Sequence, residues 1–488
     1  MKKIFAILIA SIFIDCMANI NLHAQEIGTT IVTGVVTDNL GEPLIGASVS
    51  IKGTNINAIS DFDGKFSINA PQNAVLQFSF VGYSRQEIAV ANRQEINVVM
   101  EELTFYRPAR PINLTTEQIQ KTQNSNSFAF KMFRELSDFN TLFSPFSLNM
   151  LLGMLHNGST GNTRAEIAKT LGMESFTEAE INEYFQKLSQ NLLGIDASTD
   201  LIIANSIWYN KKDLPIKNSF IETSQKYFAA QVRGHDFSDP NLTEIIDAWC
   251  AENTRNKIPS IGIRPNPLDM MYLVNALYFN GTWQNTFERR NTRRENFTLA
   301  NNRRKRVSMM QQTAWLSYYA DQYMQSVELP YGNGAFSMII ILPSENRTIN
   351  QLIELMDNDK WQNALDNMRT QRVRLKLPRF KIENDFFLRE TIKRLGIENI
   401  FDENLATFSN IADFPLWVSE IIQKTFVEVN EEGTEAAAAS ATVIVGASGR
   451  ARPVEPIHFF ADRPFLFLIR EKSTGVILFM GRVDEPRE

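Results

Sequence analysis

The residues that could do chemistry in this chain are sparse. Its four histidines, His23, His156, His235 and His458, are scattered, and none stands at ligand or relay spacing from another. The sequence contains no Cys-x-x-Cys pair, no His-Glu-x-x-His, no Gly-Lys-Ser/Thr phosphate loop and no Gly-x-Ser-x-Gly turn. Zinc, phosphate and hydrolase chemistry therefore lack their usual carriers. The chain reads as no enzyme, with no cofactor and no metal expected. Asp61 and Asp63 beside Gly64 suggest a cation loop, but the other oxygen ligands of that spacing are missing, so a hairpin turn is expected. Arg289, Arg290, Arg293, Arg294, Arg303, Arg304, Lys305 and Arg306 crowd one stretch, in an order that suggests a hairpin. Such a surface can hold a polyanion or steer an acidic partner, and a solvated hairpin is the plainer expectation.

The most unusual chemistry lies in residues 428–450. Glu431-Glu432-Gly433-Thr434-Glu435 is followed by small residues from Ala436 to Ala441, with nothing bulky before Val443. Each alanine buries little apolar area, so the run cannot build a core. Helix propensity favours a helix here. A strand is the alternative: one face would carry Thr434, Ala436, Ala438, Ser440 and Thr442, all small, and no proline removes a donor. Such a strand could slide into a tight slot. With His458-Phe-Phe-Ala-Asp-Arg-Pro-Phe-Leu-Phe-Leu-Ile-Arg470 downstream, this stretch resembles the reactive-centre loop of serpins, the inhibitors that trap proteases by loop insertion.

The resemblance implies roles for particular residues. Glu431, Gly433, Thr434, Ala436, Ala438 and Ser440 match the loop hinge. No charge or proline stands at Thr434, Ala436 or Ala438, as insertion requires. Family spacing from Glu431 places the cleaved bond at Ala447–Ser448, which suits elastase-like proteases. Counting back from Pro464 moves it to Arg450–Ala451, which suits trypsin-like ones. Both remain open. Ser144, Ser147 and Asn275 match the shutter under the main sheet, and Trp283 the breach where the loop enters. Gln423 stands where many members carry histidine, so the shutter network remains possible but gains no titrating group. The implied partner is a serine protease, with cysteine proteases as a second class. The protease supplies the nucleophile, and insertion distorts it before deacylation. A non-inhibitory serpin-fold binding protein and a surface interaction protein are the alternatives.

The elements that must position these residues can be read along the chain. Residues 200–209 and 271–283 read as buried strands, 327–331 and 336–343 as further strands, and 373–382 as one alternating run. Residues 417–429 feed directly into the hinge. Apolar helical patterns appear at 128–133 and after Ser147. Thr163-Arg-Ala-Glu166 has capping-box spacing.

The chain of 488 residues is 44% hydrophobic and 21% charged, ordinary for globular protein. Its net charge of −6 gives no general pull toward nucleic acid, and none is expected as a partner. Residues 1–24 read as a signal peptide: Lys2-Lys3, a short apolar run from Ile4 to Ile14, and Leu22-His23-Ala24 as cleavage site. Cys16 raises a lipoprotein alternative, which Asp15 disfavours. The expected destination is the periplasm, outer surface or exterior of a Gram-negative bacterium. No transmembrane segment follows, and a monomer is expected. After removal of the signal only Cys250 remains, so no intrachain disulfide can form. Residues 25–103 show short alternating strands and frequent turns, the pattern of a small all-β sandwich. Gly34-Val-Val-Thr-Asp38, Gly41-Glu-Pro-Leu-Ile-Gly-Ala47 and Asp61-Phe-Asp-Gly-Lys-Phe66 resemble the carboxypeptidase regulatory-like domain. Residues 104–123 read as a linker. Residues 124–488 are expected to form an α+β serpin fold: a large central sheet, further sheets, about nine helices and an exposed loop.

Overall fold

The structure is a computed structural model that describes residues 29–38, 41–52, 54, 56–80, 83–101, 109–136, 138–211, 215–434 and 455–488. The signal segment with Cys16, the hinge positions Ala436, Ala438 and Ser440, and both candidate bonds, Ala447–Ser448 and Arg450–Ala451, lie outside the described residues. The chain divides into two compact units, one within Met1–Phe78 and Gln86–Val99, the other comprising Ser79–Arg85 and Met100–Glu488.

The first unit is built from β1 (Thr29–Thr37), β2 (Ser48–Ile51), β3 (Asn57–Ile59), β4 (Lys65–Pro71), β5 (Val75–Ser79), β6 (Gln86–Ala89) and β7 (Val98–Val99). These form a three-stranded sheet, β4-β1-β7, and a four-stranded sheet, β3-β2-β5-β6. Alternation along the strands turns Val32, Val36, Val49, Phe66, Leu76 and Phe78 inward. Phe66 and Phe78, one from each sheet, meet edge to face at 5.4 Å. This is the expected β-sandwich. The Asp61 carboxylate accepts the amides of Asp63 and Lys65, both at 2.9 Å, and Gly64 takes φ +73°. That is hairpin-turn geometry.

The second unit carries α1 (Thr116–Leu136), β8 (Leu142–Phe143), α2 (Pro145–Gly158), α3 (Gly161–Leu171), α4 (Glu178–Leu192), β9 (Thr199–Asn210), α5 (Asn218–Phe228), β10 (Ala230–His235), α6 (Leu242–Asn253) and β11 (Met271–Thr282). After these come β12 (Arg293–Thr298), β13 (Arg304–Ala320), β14 (Met324–Pro330), β15 (Phe336–Pro343), α7 (Ile349–Leu355), α8 (Asn358–Asn367), β16 (Arg369–Pro378) and β17 (Phe380–Phe387). The chain ends with α9 (Arg389–Arg394), β18 (Glu420–Val429), β19 (Gly433–Thr434), β20 (Ile457–Phe460), β21 (Phe465–Glu471) and β22 (Ile477–Val483). A six-stranded sheet runs β10-β9-β11-β19-β18-β17. A nine-stranded sheet runs β20-β16-β13-β14-β15-β21-β22-β8, with β12 paired to β13.

The six-stranded sheet is covered on both faces. Odd-numbered residues of β11, such as Leu273 and Leu277, join the main core with α2, whose residues are all buried. Even-numbered residues, such as Tyr272, Val274 and Tyr278, pack with Trp249 and Cys250 of α6. A strand buried on both faces reads as a continuous apolar run, and 271–283 does. Cys250 is buried as expected, and burial pushes its thiol up to about 12, so it packs as a small hydrophobe.

Three local expectations change. The linker expected over 104–123 is too long, because α1 begins at Thr116. The Thr115 hydroxyl accepts the Gln118 amide while the Gln118 side chain accepts the Thr115 amide, and this reciprocal cap starts the helix. The capping box expected at Thr163 and Glu166 does not form. Thr163 sits inside α3 and donates to the Leu405 carbonyl, while Glu166 accepts the amides of Glu398 and Asn399. Distant partners outcompete the local cap. Finally, the run 373–382 is two strands in different sheets, β16 and β17, parted at Pro378-Arg379. Proline cannot donate to a continuing ladder.

His156, in the last turn of α2, is 7% exposed, and its Nδ1 has no partner among the described residues. Burial, with Arg164 nearby, depresses its pKa to about 4. An unfolded chain protonates near 6.5, so it binds a proton that the native state refuses between these values. Native stability therefore falls as pH drops through this window, by on the order of 3 kcal/mol. Urea unfolding at pH 7 and at about 4.5 should show this loss, and His156→Gln should reduce it.

Candidate functional site

β11 and β18 lie side by side and parallel in the middle of the six-stranded sheet. They are paired from Tyr272↔Glu420 to Tyr278↔Phe426. At their C-terminal ends β19 sits between them, antiparallel to both. Thr434 lies opposite Gly281 on one side and Val429 on the other. The sheet is thus closed along most of its length and parted at one end, where the hinge begins.

A row of buried polar groups crosses the closed part. Gln423 and Asn275 are register partners and both are 0% exposed. The Gln423 side chain donates through Nε2 to Asn275 Oδ1 at 3.1 Å and to the Ser144 carbonyl at 2.9 Å. Its Oε1 accepts the Ser144 amide at 2.7 Å. Asn275 Nδ2 donates to Asn205 Oδ1 at 2.9 Å and to the Ala204 carbonyl at 3.2 Å. Thr425 donates to the Leu142 carbonyl at 2.7 Å. Glutamine fits because a neutral amide both donates and accepts, and three of its bonds are used here. Ser144 caps α2 by accepting the Ser147 amide at 3.3 Å. Ser147 is buried, and its hydroxyl has no partner among the described residues. It therefore stays outside the network, unlike Ser144.

The hinge is clamped at the parted end. The Glu431 carboxylate takes a two-pronged bond from Arg379, at 2.7–3.0 Å, and a hydroxyl from Thr292. Burial opposes the charge on Glu431, but Arg379 and Thr292 outweigh it and hold the carboxyl below its usual range. Glu432 pairs with Arg289 at 2.6 Å, yet burial wins there and raises its pKa. Trp283 donates its amide to the Glu432 carbonyl at 2.8 Å and its indole N–H to the Asn430 carbonyl at 3.0 Å. Its ring stacks on Tyr331 at 4.4 Å, and the Tyr331 hydroxyl meets the Thr434 hydroxyl at 2.6 Å. Gly433 has φ +155°, and a Cβ there would fall 1.9 Å from the Gly281 carbonyl oxygen. Only glycine fits this position.

The sequence-predicted residues thus fall into two groups. Ser144, Asn275 and Gln423 meet in the closed part. Trp283, Glu431, Gly433 and Thr434 meet at the parted end. Four partners escaped sequence reasoning: Asn205, Arg379, Tyr331 and Thr292. Asn205 had a signal, as a lone amide inside the apolar strand 200–209. Arg379 followed the strand-breaking Pro378. Tyr331 and Thr292 carried no local mark. Removing the Gln423 side chain orphans the Ser144 amide and weakens the hold on Asn275. Gln423→Ala should therefore cost about 2–4 kcal/mol of native stability. It should also speed spontaneous sheet opening, read as faster loss of the native form on incubation near the melting temperature.

Comparison with known proteins fits this geometry. The family model for Serpin (serine protease inhibitor) matches residues 123–486, and that for the CarboxypepD_reg-like domain matches residues 32–105. Serpin B6 of Pongo abelii is 34% identical over 376 residues, covering 74% of this chain and 98% of that protein. Leukocyte elastase inhibitor of Homo sapiens is 33% identical, covering 75% of this chain and 100% of the relative. The native structure of a thermophilic serpin, Tengpin, superposes with a TM-score of 0.71 at 29% identity, over 78% of this chain and 97% of that one. With the family model matching residues 123–486, which include the closed sheet and its parted end, the chain belongs to the serpin family.

Proposed function

We propose that this chain is an exported inhibitor of serine proteases that acts by acyl-enzyme trapping and loop insertion. The observation that carries the reading is β19, seated between β11 and β18 while those strands pair directly beyond it. Continuing the same register residue by residue brings Ala436 between Phe279 and Val427. Ala438 comes between Leu277 and Thr425, and Ser440 between Asn275 and Gln423. The small residues fall on the face turned to the packed core, where β11 carries Leu273, Leu277 and Phe279. The Ser440 hydroxyl arrives where the Gln423–Asn275 bond must break, and can bond to either amide.

In this mechanism the protease serine attacks the loop and forms an acyl-enzyme. The freed loop end then enters the sheet as a strand antiparallel to both neighbours. One ladder is replaced by two, a net gain of roughly half a dozen hydrogen bonds. At ~0.5–1.5 kcal/mol each this is on the order of 3–9 kcal/mol, comparable with the ~5–15 kcal/mol stability of a protease domain. The uninserted state is then held by a kinetic barrier. Residues 1–24 act as the export signal in this reading, and the inhibitor works as a monomer. The bait is Ala447–Ser448 for elastase-like or Arg450–Ala451 for trypsin-like proteases.

The test mixes the mature protein with elastase, and separately with trypsin, and runs denaturing gels. A band at the summed mass is expected, and the mass of the released C-terminal peptide assigns the bond. Ala438→Arg places a charge in the slot, so the band should vanish while cleavage continues. Cleaved wild-type protein should melt about ten degrees higher or more. Cleavage with neither band nor shift would favour a non-inhibitory binding protein.

A further inference from the structure

The face formed by β13, β16 and β20, next to the loop's return, carries a composition the trapping mechanism does not use. Antiparallel pairing sets Trp315 opposite Arg372, Thr313 opposite Arg374 and Gln311 opposite Lys376. Parallel pairing sets His458 beside Arg374. Side chains paired this way share a face. Trp315 is 64% exposed. A depression of about 460 Å³ opens here, lined by Arg293, Arg372, Arg374, Thr313 and Pro456 among others, with no carboxylate among its described lining residues. Glu295, a carboxylate on this face, is already held by Lys376 and Gln311, each at 2.6 Å. It therefore does little to offset the arginines.

The position matters as much as the charge. Pro456 is part of the wall, and β20 starts at Ile457, so this face lies at the C-terminal root of the segment carrying both candidate bonds. An extended chain covers at most about 3.6 Å per residue. A protease engaged at Ala447 or Arg450 is therefore tethered within about 30 Å of the depression. We propose that this face docks an acidic region beside the active cleft of the target protease. Trp and Arg are the residue types that most often carry binding energy at interfaces. A basic depression accelerates encounter with an acidic partner in a salt-dependent way. The proposal rests on the inhibitor reading above.

The test uses cationic and anionic trypsin, which share a specificity and differ in net charge, each as active enzyme and as its active-site serine-to-alanine form. At about 0.05 M salt the full chain should associate with the inactive anionic form at least about tenfold faster than with the inactive cationic form. Arg293→Glu combined with Arg374→Glu should abolish that preference, and about 0.5 M salt should shrink it to roughly twofold. Trp315→Ala should weaken the anionic complex about tenfold. Arg374→Gln is the milder variant should the double reversal misfold, and unchanged melting temperatures qualify each variant. Equal association with both trypsins, or a preference that survives reversal, overturns the proposal. So does loss of heparin binding on reversal with the trypsin preference intact, which assigns the face to a polyanion. The active enzymes answer separately: no denaturation-stable band with either trypsin or with elastase defeats the trapping reading, while the inactive trypsins still decide the docking face.

Discussion

The direct pairing of β11 with β18 is the contact on which the rest of the second unit depends. These strands are neighbours in space and distant in sequence, and parallel pairing is slightly weaker per residue than antiparallel. Each is anchored to its own support. β18 is tied by Gln423 to Ser144 through two bonds and by Thr425 to Leu142. β11 is tied by Asn275 to Asn205 and Ala204 of β9. Of this polar row, one side-chain bond, Gln423 to Asn275, crosses the seam. The seam can part without either strand losing its support.

The clamp at the parted end complements this arrangement. Glu431 is bound by Arg379, between β16 and β17, and by Thr292, just before β12. The hinge is therefore fastened to both large sheets, and Thr434 is already in the slot. In the proposed insertion a strand growing from Thr434 would not disturb Glu431, and the clamp would serve as a fixed pivot. Gly433 makes this possible, since any side chain there would strike the Gly281 carbonyl. Buried charge normally destabilises unless fully paired. Glu431 meets that condition. Glu432 meets it only in part, because its second oxygen has no partner among the described residues.

Much of this was legible in the sequence, for reasons that differ by residue. The strands 200–209 and 271–283 announced themselves as continuous apolar runs; Asn275 inside the second was singled out and meets Gln423, whereas its partner Asn205 inside the first was not. The start of the expected hinge was legible: Glu431, Gly433 and Thr434 meet at the parted end, and a Cβ on Gly433 would strike the Gly281 carbonyl, while Ala436, Ala438 and Ser440 lie outside the described residues. The clamp was not, because Arg379 and Thr292 are distant in sequence from Glu431 and only tertiary packing joins them. The start of α1 was hidden by its polar first turns, where Lys121 and Thr122 are buried despite their types. The Thr163–Glu166 spacing misled because a cap is a local offer, and Leu405 and Glu398 made better ones.

The placement of titrating groups follows from the same geometry. Histidine at the seam would charge near neutral pH and strain the network from its centre. Glutamine has no such transition, so the Gln423–Asn275 bond is indifferent to acid. At the clamp acid does act, and its two carboxyls respond with opposite signs. Glu432 has a raised pKa, so protonation relieves a buried charge and adds stability as pH falls through that value, while releasing Arg289. Glu431 has a lowered pKa, so its contribution is full above the ordinary carboxyl value and is lost progressively as pH falls from there through its lower folded value. Falling pH therefore frees the outer, exposed tie before the inner one. The inner tie to Arg379 and Thr292 keeps the pivot in place. At the parted end the response to acid thus lies in Glu431 and Glu432, and the Gln423–Asn275 bond takes no part in it.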